Sequence, residues 1–168
     1  MTTPRGPIAY VTSEYPKFSH TFIQREVAAL RSLGEVVVTC ATRRPSVDAL
    51  NGPEEEAEYE RTFAVLERAK NPFNLIADVA LMMLTRGGGV FRGLSLALSS
   101  RAPGVRGLVY ALIYLIEAMV LARFLTRSGP RRIHAHFANA AGTVAMLCLL
   151  YTSPSPRDLS TSRMPSSA

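Results

Sequence analysis

The side chains best suited to chemistry lie in two short polar segments, and the first one follows the earliest apolar run of the chain. After residues 8–11 come Ser19, His20 and Thr21, which offer two hydroxyls and an imidazole just before a helical pattern begins. These groups suit the hydroxyls of a sugar or the oxygens of a phosphate. The alternative is that they cap the helix, because Thr21 followed by Gln24 matches the capping-box pattern.

The second polar segment contains His134, His136 and Asn139. On a strand, His134 and His136 point to the same side because side chains repeat with a period of two, and Asn139 stands where it would cap the next helix. Contact with substrate in a cleft and packing in the core both remain open for the histidines. Two histidines without a carboxylate or a third histidine are a weak metal signal, so we predict no metal.

The predicted binding residues are therefore the polar groups of both segments, and no catalytic residue is assigned. They are Ser19, His20, Thr21, His136 and Asn139. No glycine occurs between residues 7 and 33, whereas a dinucleotide site needs a glycine-rich turn after the first strand. We accordingly predict no nicotinamide or flavin, and no other cofactor.

Both polar segments require elements that bring them to one edge of a sheet. Residues 8–11 and 35–41 are continuous apolar runs, as expected of strands covered on both faces. Between them, Ile23 and Val27 begin a helical pattern that Gly34 would end in a left-handed conformation. Strand, helix and strand in this order predict a parallel sheet. The polar face of this helix is predicted to carry Gln24, Arg25, Arg31 and Ser32.

Further along the chain, residues 132–136 read as another strand and residues 140–150 as an apolar helix. The fold class predicted is α/β, a Rossmann-like parallel sheet with helices on both faces. The acidic stretch 48–60 is predicted to be a surface excursion. Helices are predicted from Asn71 and Pro72 to the glycines 87–89, over 90–98, and over 105–126.

The composition fits one domain with a sizeable core, since 48% of the 168 residues are hydrophobic and 19% are charged. We assign residues 1–150 to an incomplete Rossmann-like domain with a helical insertion at about 72–127. Cys40 and Cys148 lie in apolar runs without metal-ligand spacing and are predicted to be reduced packing residues. Residues 151–168 hold six Ser and three Pro and are predicted to be disordered.

The positive charge is concentrated in one part of the chain. Of the 19 cations, 17 are Arg, and eight of these lie between residues 86 and 132 with Glu117 as the single acid there. Such a surface suits anionic lipid, phosphorylated substrates or nucleic acid, or it is simply solvated. Nucleic acid is disfavoured because no aromatic residues are interleaved with the arginines.

The apolar run 108–122 raises the question of a membrane. It would span roughly 22 Å, less than the roughly 30 Å hydrocarbon core, and it contains Glu117. We predict a buried core helix or an interfacial helix rather than a transmembrane one. In the interfacial case the contacts with anionic lipid would come from Arg101, Arg106, Arg123 and Arg127. Residues 1–7 lack a signal-peptide pattern, so the predicted location is cytoplasmic.

Two segments together resemble a known family. The opening IAYVTSEYPKFSHTFIQREVAALRSLGEVVVTCATRRP resembles the start of family 4 glycosyltransferases of the bacterial exopolysaccharide, colanic-acid type, in which a strand leads into YP, S-x-T-F-I, E, L and G. The later IHAHFANAAGTVAML is similar to that family's H-A-H-F strand and small-residue helix. The resemblance covers residues 7–147. The end of the chain instead resembles translated sequencing-adapter sequence, which implies that nothing after about residue 148 is native.

The resemblance implies the N-terminal, acceptor-binding half of a retaining, metal-independent enzyme of GT-B fold. The donor would be a sugar nucleotide held by a missing C-terminal domain, and the acceptor a lipid-linked oligosaccharide or a polysaccharide. The fragment is then expected to be inactive alone and to sit at the inner face of the plasma membrane. The alternative is a non-enzymatic peripheral membrane or anion-binding module that uses the Arg-rich face.

Overall fold

The computed structural model describes residues 6–130, 132–137 and 139–152, and it confirms the α/β prediction of a parallel sheet with helices against both faces. The strands are β1 (Ile8–Glu14), β2 (Val37–Arg43), β3 (Phe63–Ala64) and β4 (Arg132–Ala135). The helices are α1 (Thr21–Ser32), α2 (Pro53–Arg61), α3 (Val65–Ala69), α4 (Pro72–Ser100), α5 (Val105–Ser128) and α6 (Ala140–Thr152).

The order of the strands determines where a ligand can bind. Among the described residues the sheet runs β3-β2-β1-β4, with every neighbouring pair parallel. The chain builds outward from β1 through β2 to β3 and then returns to the other side of β1 to form β4. The winding therefore reverses between β1 and β4, and the crevice beyond the carboxyl ends of these two strands is the switch point at which α/β sheets bind ligands.

The central strands extend further toward their carboxyl ends than the apolar runs that predicted them. β1 and β2 pair from Ile8 with Val37 to Glu14 with Arg43. The parallel pairing satisfies the backbone groups of polar residues as well as apolar ones, and this carries both strands past residues 11 and 41.

Alternating side chains of β1 divide the core into two layers. Tyr10 lies on one face and packs with Ile23 and Val27 of α1. Ala9 and Val11 lie on the other face, in the core that α4, α5 and α6 complete. Helices thus cover both faces of the sheet, as the continuous apolar runs predicted.

The end of α1 is confirmed at Gly34, which has a φ of 84°. The Glu35 N–H donates to the Leu30 carbonyl at 3.0 Å and the Gly34 N–H to the Arg31 carbonyl at 3.0 Å. This is the Schellman arrangement that left-handed glycine permits.

α1 begins at Thr21, where the helical pattern was predicted to start, but the capping box offered as one reading of Thr21 is wrong. Thr21 is the first helical residue rather than its cap, and the residue before it, His20, makes no side-chain capping bond. The reason is that a short 3-10 turn, Phe18–His20, runs directly into the helix, with the His20 N–H bonded to the Lys17 carbonyl at 2.8 Å. The capping box of Thr21 and Gln24 therefore does not form.

The acidic stretch was predicted to be a surface excursion, and most of it forms α2, a helix without a buried residue. Gly52, at a φ of 147°, precedes Pro53 at the first helical positions, and three glutamates occupy the first turn. Proline at this position and negative charge near a helix N-terminus both favour a helix. Arg31, on the predicted polar face of α1, forms an ion pair with Glu58 on α2.

A break between two helices was predicted at the glycines 87–89, and α4 is made of two helices joined across a kink next to these glycines. α4 begins as expected, with the Asn71 side chain accepting hydrogen bonds from the backbone of the first turn. The break lies at Arg86, with φ −135° and ψ 27°, and the second helix runs to Ser100, two residues beyond the predicted end. A Cβ on Gly89 would lie 2.6 Å from the Leu150 carbonyl oxygen, so the absent side chain lets α6 pack closely.

The disordered tail was predicted to begin at residue 151, and this is wrong for Tyr151 and Thr152, which belong to α6. Tyr151 lies within α6 and is only 1% exposed, because the helix packs against α4 and α5 over its whole length. The rest of the predicted tail, residues 153–168, lies outside the described residues. Cys40 and Cys148 are buried free thiols, as predicted, and burial raises the pKa of the Cys40 thiol to about 12.

Candidate functional site

The two polar segments meet at the switch point between β1 and β4. The ring of His20, which follows β1, lies 5.1 Å from the ring of Phe137, which follows β4. Phe22 of α1 contacts His136 with ring centroids 5.4 Å apart. Residues separated by more than 110 positions in the sequence therefore form one surface at the carboxyl edge of the sheet.

The side chains of Ser19, His20 and Thr21 are not used to cap α1, which was the alternative to ligand contact. Ser19 and Thr21 are exposed. His20 is half-buried, and its Nδ1 atom has no hydrogen-bond partner within the described part of the chain. A buried polar atom without a partner is uncommon. Because this nitrogen is shielded from solvent, a ligand would contact it only after the ring turns.

His134 and His136 point to the same side of β4, as their spacing predicted. Their rings are 4.5 Å apart. Both contact the ring of Tyr10 on β1, at 4.9 Å for His134 and 5.7 Å for His136. Tyr10 is opposite His134 in the parallel register, which explains why the three rings cluster.

Glu26 of α1 completes this cluster, and the sequence analysis did not select it. Its Oε1 accepts a hydrogen bond from the Tyr10 hydroxyl at 2.6 Å, and its Oε2 lies 2.9 Å from Nε2 of His136. Glu26 stands three residues after Ile23 and next to Val27, the two buried residues of α1. This spacing indicates that Glu26 lies at the margin of the buried face of α1. The helical pattern could therefore have identified Glu26 as a candidate site residue.

The surroundings change the protonation of these groups. Burial lowers the pKa of His134, the neighbouring His136 lowers it further, and Glu26 opposes both effects. Burial and the hydrogen bond to Glu26 raise the pKa of the Tyr10 phenol. At neutral pH the cluster therefore presents a neutral imidazole on His134 and a protonated Tyr10 that donates to Glu26.

Asn139 acts as the predicted cap of α6. Its Oδ1 accepts a hydrogen bond from the Ala141 N–H at 3.0 Å, and the residue is exposed. The cap engages the side-chain oxygen of Asn139, and its amide nitrogen takes no part in the cap. Contact of Asn139 with a ligand stays a prediction.

The arginines predicted to contact lipid differ in exposure. Arg101, Arg106 and Arg127 are exposed, whereas Arg123 is half-buried. Arg106 lies over the ring of Tyr110, 5.7 Å from its centroid. These positions leave three of the four guanidinium groups open to an anionic partner.

α5 combines the two predicted alternatives of a core helix and an interfacial helix. Residues 117–122 are all buried, which matches a core helix. In the N-terminal half one helical face is exposed and apolar. It consists of Val105, Leu108, Val109, Leu112, Ile113 and Ile116. Within the described residues α5 has the length and hydropathy of a membrane span, but half of its apolar window is buried in the protein.

The switch point thus offers hydroxyls, imidazoles, an amide and two aromatic rings at one edge of the sheet. Such a surface can hold a polyhydroxylated or phosphorylated ligand by hydrogen bonds and ring contacts. Comparison of the chain with protein-family models, with curated proteins and with solved structures finds no match.

Proposed function

We propose that this chain is the acceptor-binding part of a glycosyltransferase that transfers a sugar from a sugar nucleotide to a lipid-linked or polysaccharide acceptor. The observation that carries the proposal is the meeting of the two polar segments at the reversal of winding between β1 and β4. Those segments are also the ones that resemble the exopolysaccharide family. The proposal assigns the sugar nucleotide to another domain and no catalysis to this chain alone.

The side chains at the crevice fit a sugar. Ser19 and Thr21 are exposed hydroxyls, and the half-buried ring of His20 lies beside them against Phe137. Phe22, 47% exposed, and the half-buried Phe137 offer ring faces to the apolar side of a pyranose. His136 and Asn139 form the opposing wall of the proposed site.

A groove along α6 supports the part of the proposal in which the acceptor is lipid-linked. It runs between α6 and the turn that joins α4 to α5, and its lining is mainly apolar and aromatic with one guanidinium. Its lining includes Ala97, Arg101, Tyr110, Tyr114, Thr143, Met146 and Leu147. Because Thr143 lies one turn after Asn139 on α6, an acceptor in the crevice could extend its lipid into the groove.

Titration of the ¹⁵N-labelled chain with a water-soluble, short-chain analogue of a diphosphate-linked sugar tests the proposal. We expect saturable chemical-shift changes at residues 19–21 and 136–139. Changes restricted to α4 and α5, or none at all, would contradict the assignment of the crevice.

A chimera of residues 1–147 with the nucleotide-sugar domain of a related enzyme tests transfer. Each lost hydrogen bond is worth about 0.5–1.5 kcal/mol, so His136→Ala and Ser19→Ala should each lower kcat/KM by about twofold to tenfold. Ser32→Ala is the matched control, because Ser32 is an exposed serine at the far end of α1. Equal rates in all three variants would show that the crevice does not hold the acceptor.

The exposed apolar face of α5 favours a second candidate function, a peripheral membrane module. Leu112 and Ile113 are 41% and 40% exposed at the centre of this face, and the cations Arg101 and Arg106 lie near its N-terminal end. Apolar side chains flanked by cations are typical of helices that lie in the interface of an anionic bilayer.

Sedimentation with vesicles tests this second function. Binding should be stronger to vesicles with anionic lipid than to neutral ones, and added salt should release it. A cation near an anionic surface is worth about 1 kcal/mol, so Arg106→Gln should weaken binding about fivefold. Arg25→Gln, which removes an exposed cation of α1, is the control. Binding that is indifferent to lipid charge and salt would contradict the electrostatic account.

A further inference from the structure

We propose that Glu26, His134 and His136 form a binding site for a divalent transition metal of the Zn²⁺ class. This inference goes beyond the proposed function and departs from the metal-independent transfer that the family resemblance implies. The sequence argued against a metal because no carboxylate accompanied the two histidines. The fold supplies that carboxylate from α1, 108 positions before His134.

The geometry of the three side chains fits a metal. One ligand atom from each residue lies within 4.8 Å of the other two. Ligand atoms of a tetrahedral zinc site are about 3.4 Å apart when each bond is about 2.1 Å long. The distances therefore bracket the required spacing and need only small side-chain rotations.

The hydrogen bonding around the three residues also fits. Nε2 of His136 and Oε2 of Glu26 are 2.9 Å apart, at ion-pair distance, yet they lack hydrogen-bond geometry, and this Nε2 has no hydrogen-bond partner among the described residues. A cation between the two atoms would satisfy both lone pairs. Tyr10 meanwhile donates to Oε1 of Glu26 and leaves Oε2 for the metal, as residues behind metal-binding carboxylates do.

The donor set indicates the kind of metal and of site. Two imidazoles and one carboxylate suit Zn²⁺ and similar borderline ions better than Mg²⁺ or Ca²⁺, which prefer oxygen ligands. Three protein ligands leave a coordination position for water or for an oxygen of a bound ligand. His134 is exposed, so an ion can reach the site from solvent.

Titration of the metal-free, tag-free full chain with Zn²⁺ by calorimetry, and with Co²⁺ by visible absorption, tests the site without any sugar or lipid. We expect one ion per chain and a Co²⁺ spectrum of low-coordinate nitrogen and oxygen ligation. Glu26→Gln and His134→Ala should each weaken Zn²⁺ binding by about tenfold to a hundredfold or more, and Tyr10→Phe by about tenfold.

The third histidine of the chain provides the matched control. His20 contacts Phe22 and Phe137 but is not among the three ligands, so His20→Ala should leave Zn²⁺ affinity unchanged. No saturable binding by the unaltered protein would overturn the proposal, as would unchanged affinity in His134→Ala or an equal loss in His20→Ala. His134 is exposed on β4, the edge strand of the described sheet, so His134→Ala should fold. This variant therefore tests the metal site even if Glu26→Gln fails to fold.

Discussion

Replacing Arg68 by Ala should destabilise the protein more than replacing its partner Asp78, because the carboxylate is the more deeply buried of the two charges. Arg68 of α3 donates two hydrogen bonds to Asp78 of α4, from Nε to Oδ2 at 2.5 Å and from Nη2 to Oδ1 at 3.0 Å. The side chain of Asp78 is 3% exposed and that of Arg68 28%. These bonds also raise the pKa of the Arg68 guanidinium.

The expected magnitudes follow from what each truncation leaves behind. Arg68→Ala leaves a buried carboxylate without its cation, and breaking a buried pair in this way costs about 3–5 kcal/mol. Asp78→Ala leaves a guanidinium that can turn its head toward water, so the loss is closer to that of hydrogen bonds to a charged group, about 1.5–3 kcal/mol. Replacing both residues by Met and Leu should restore most of the stability, because no unpaired charge remains.

Urea denaturation followed by circular dichroism measures these free energies of unfolding. Lys70→Ala is the control. It removes the exposed ion pair between Lys70, the residue after α3, and Glu67 on α3, and it should lower the free energy of unfolding by no more than about 1 kcal/mol. Equal losses for the two single variants, or a larger loss for Asp78→Ala, would refute the argument from burial.

Three further substitutions test the elements that position the site. Asn139→Ala removes the cap of α6 and should cost about 1 kcal/mol in urea denaturation, whereas Asn139→Asp should preserve most of it. Gly34→Ala should cost about 1–2 kcal/mol, because its φ of 84° is unfavourable for alanine although no atom crowds the added Cβ, and Gly34→Asn should cost less. Burial raises the pKa of Glu117, against the opposing effect of Arg43, so the folded protein retains a proton that the unfolded chain loses. Stability should therefore fall as pH rises from the ordinary glutamate pKa of about 4.3 to the raised value, and thermal unfolding of Glu117→Gln should lose this dependence.

Local patterns in the sequence were sufficient for the class of fold. Continuous apolar runs around residues 8–11 and 35–41, with a helical period between them, predicted parallel strands covered on both faces, and the structure contains them. The cap at Asn139 and the left-handed residue at Gly34 were likewise predicted, because both depend on backbone geometry within a few residues.

Local patterns failed where packing from a distant element decides. The glycines 87–89 predicted the break in α4, but the local pattern could not show that Gly89 packs against the backbone of α6 at Leu150. The apolar run of α5 could not show which of its halves is buried, since that depends on the elements around it. The capping reading of Thr21 failed for a local reason instead, because the 3-10 turn at residues 18–20 already leads into the helix.

The sequence by itself determined which residue types stand near the carboxyl ends of strands, and so it selected Ser19, His20, His136 and Asn139. Only the tertiary structure decided which of them meet, because the order β3-β2-β1-β4 places β4 beside β1. The same order brings Glu26 to the two histidines of β4. β1 and β4 pair although about 120 residues separate them in the sequence. Local periodicity cannot predict such a pairing, because the pattern of apolar residues in a strand indicates whether that strand is buried but not which strand lies beside it.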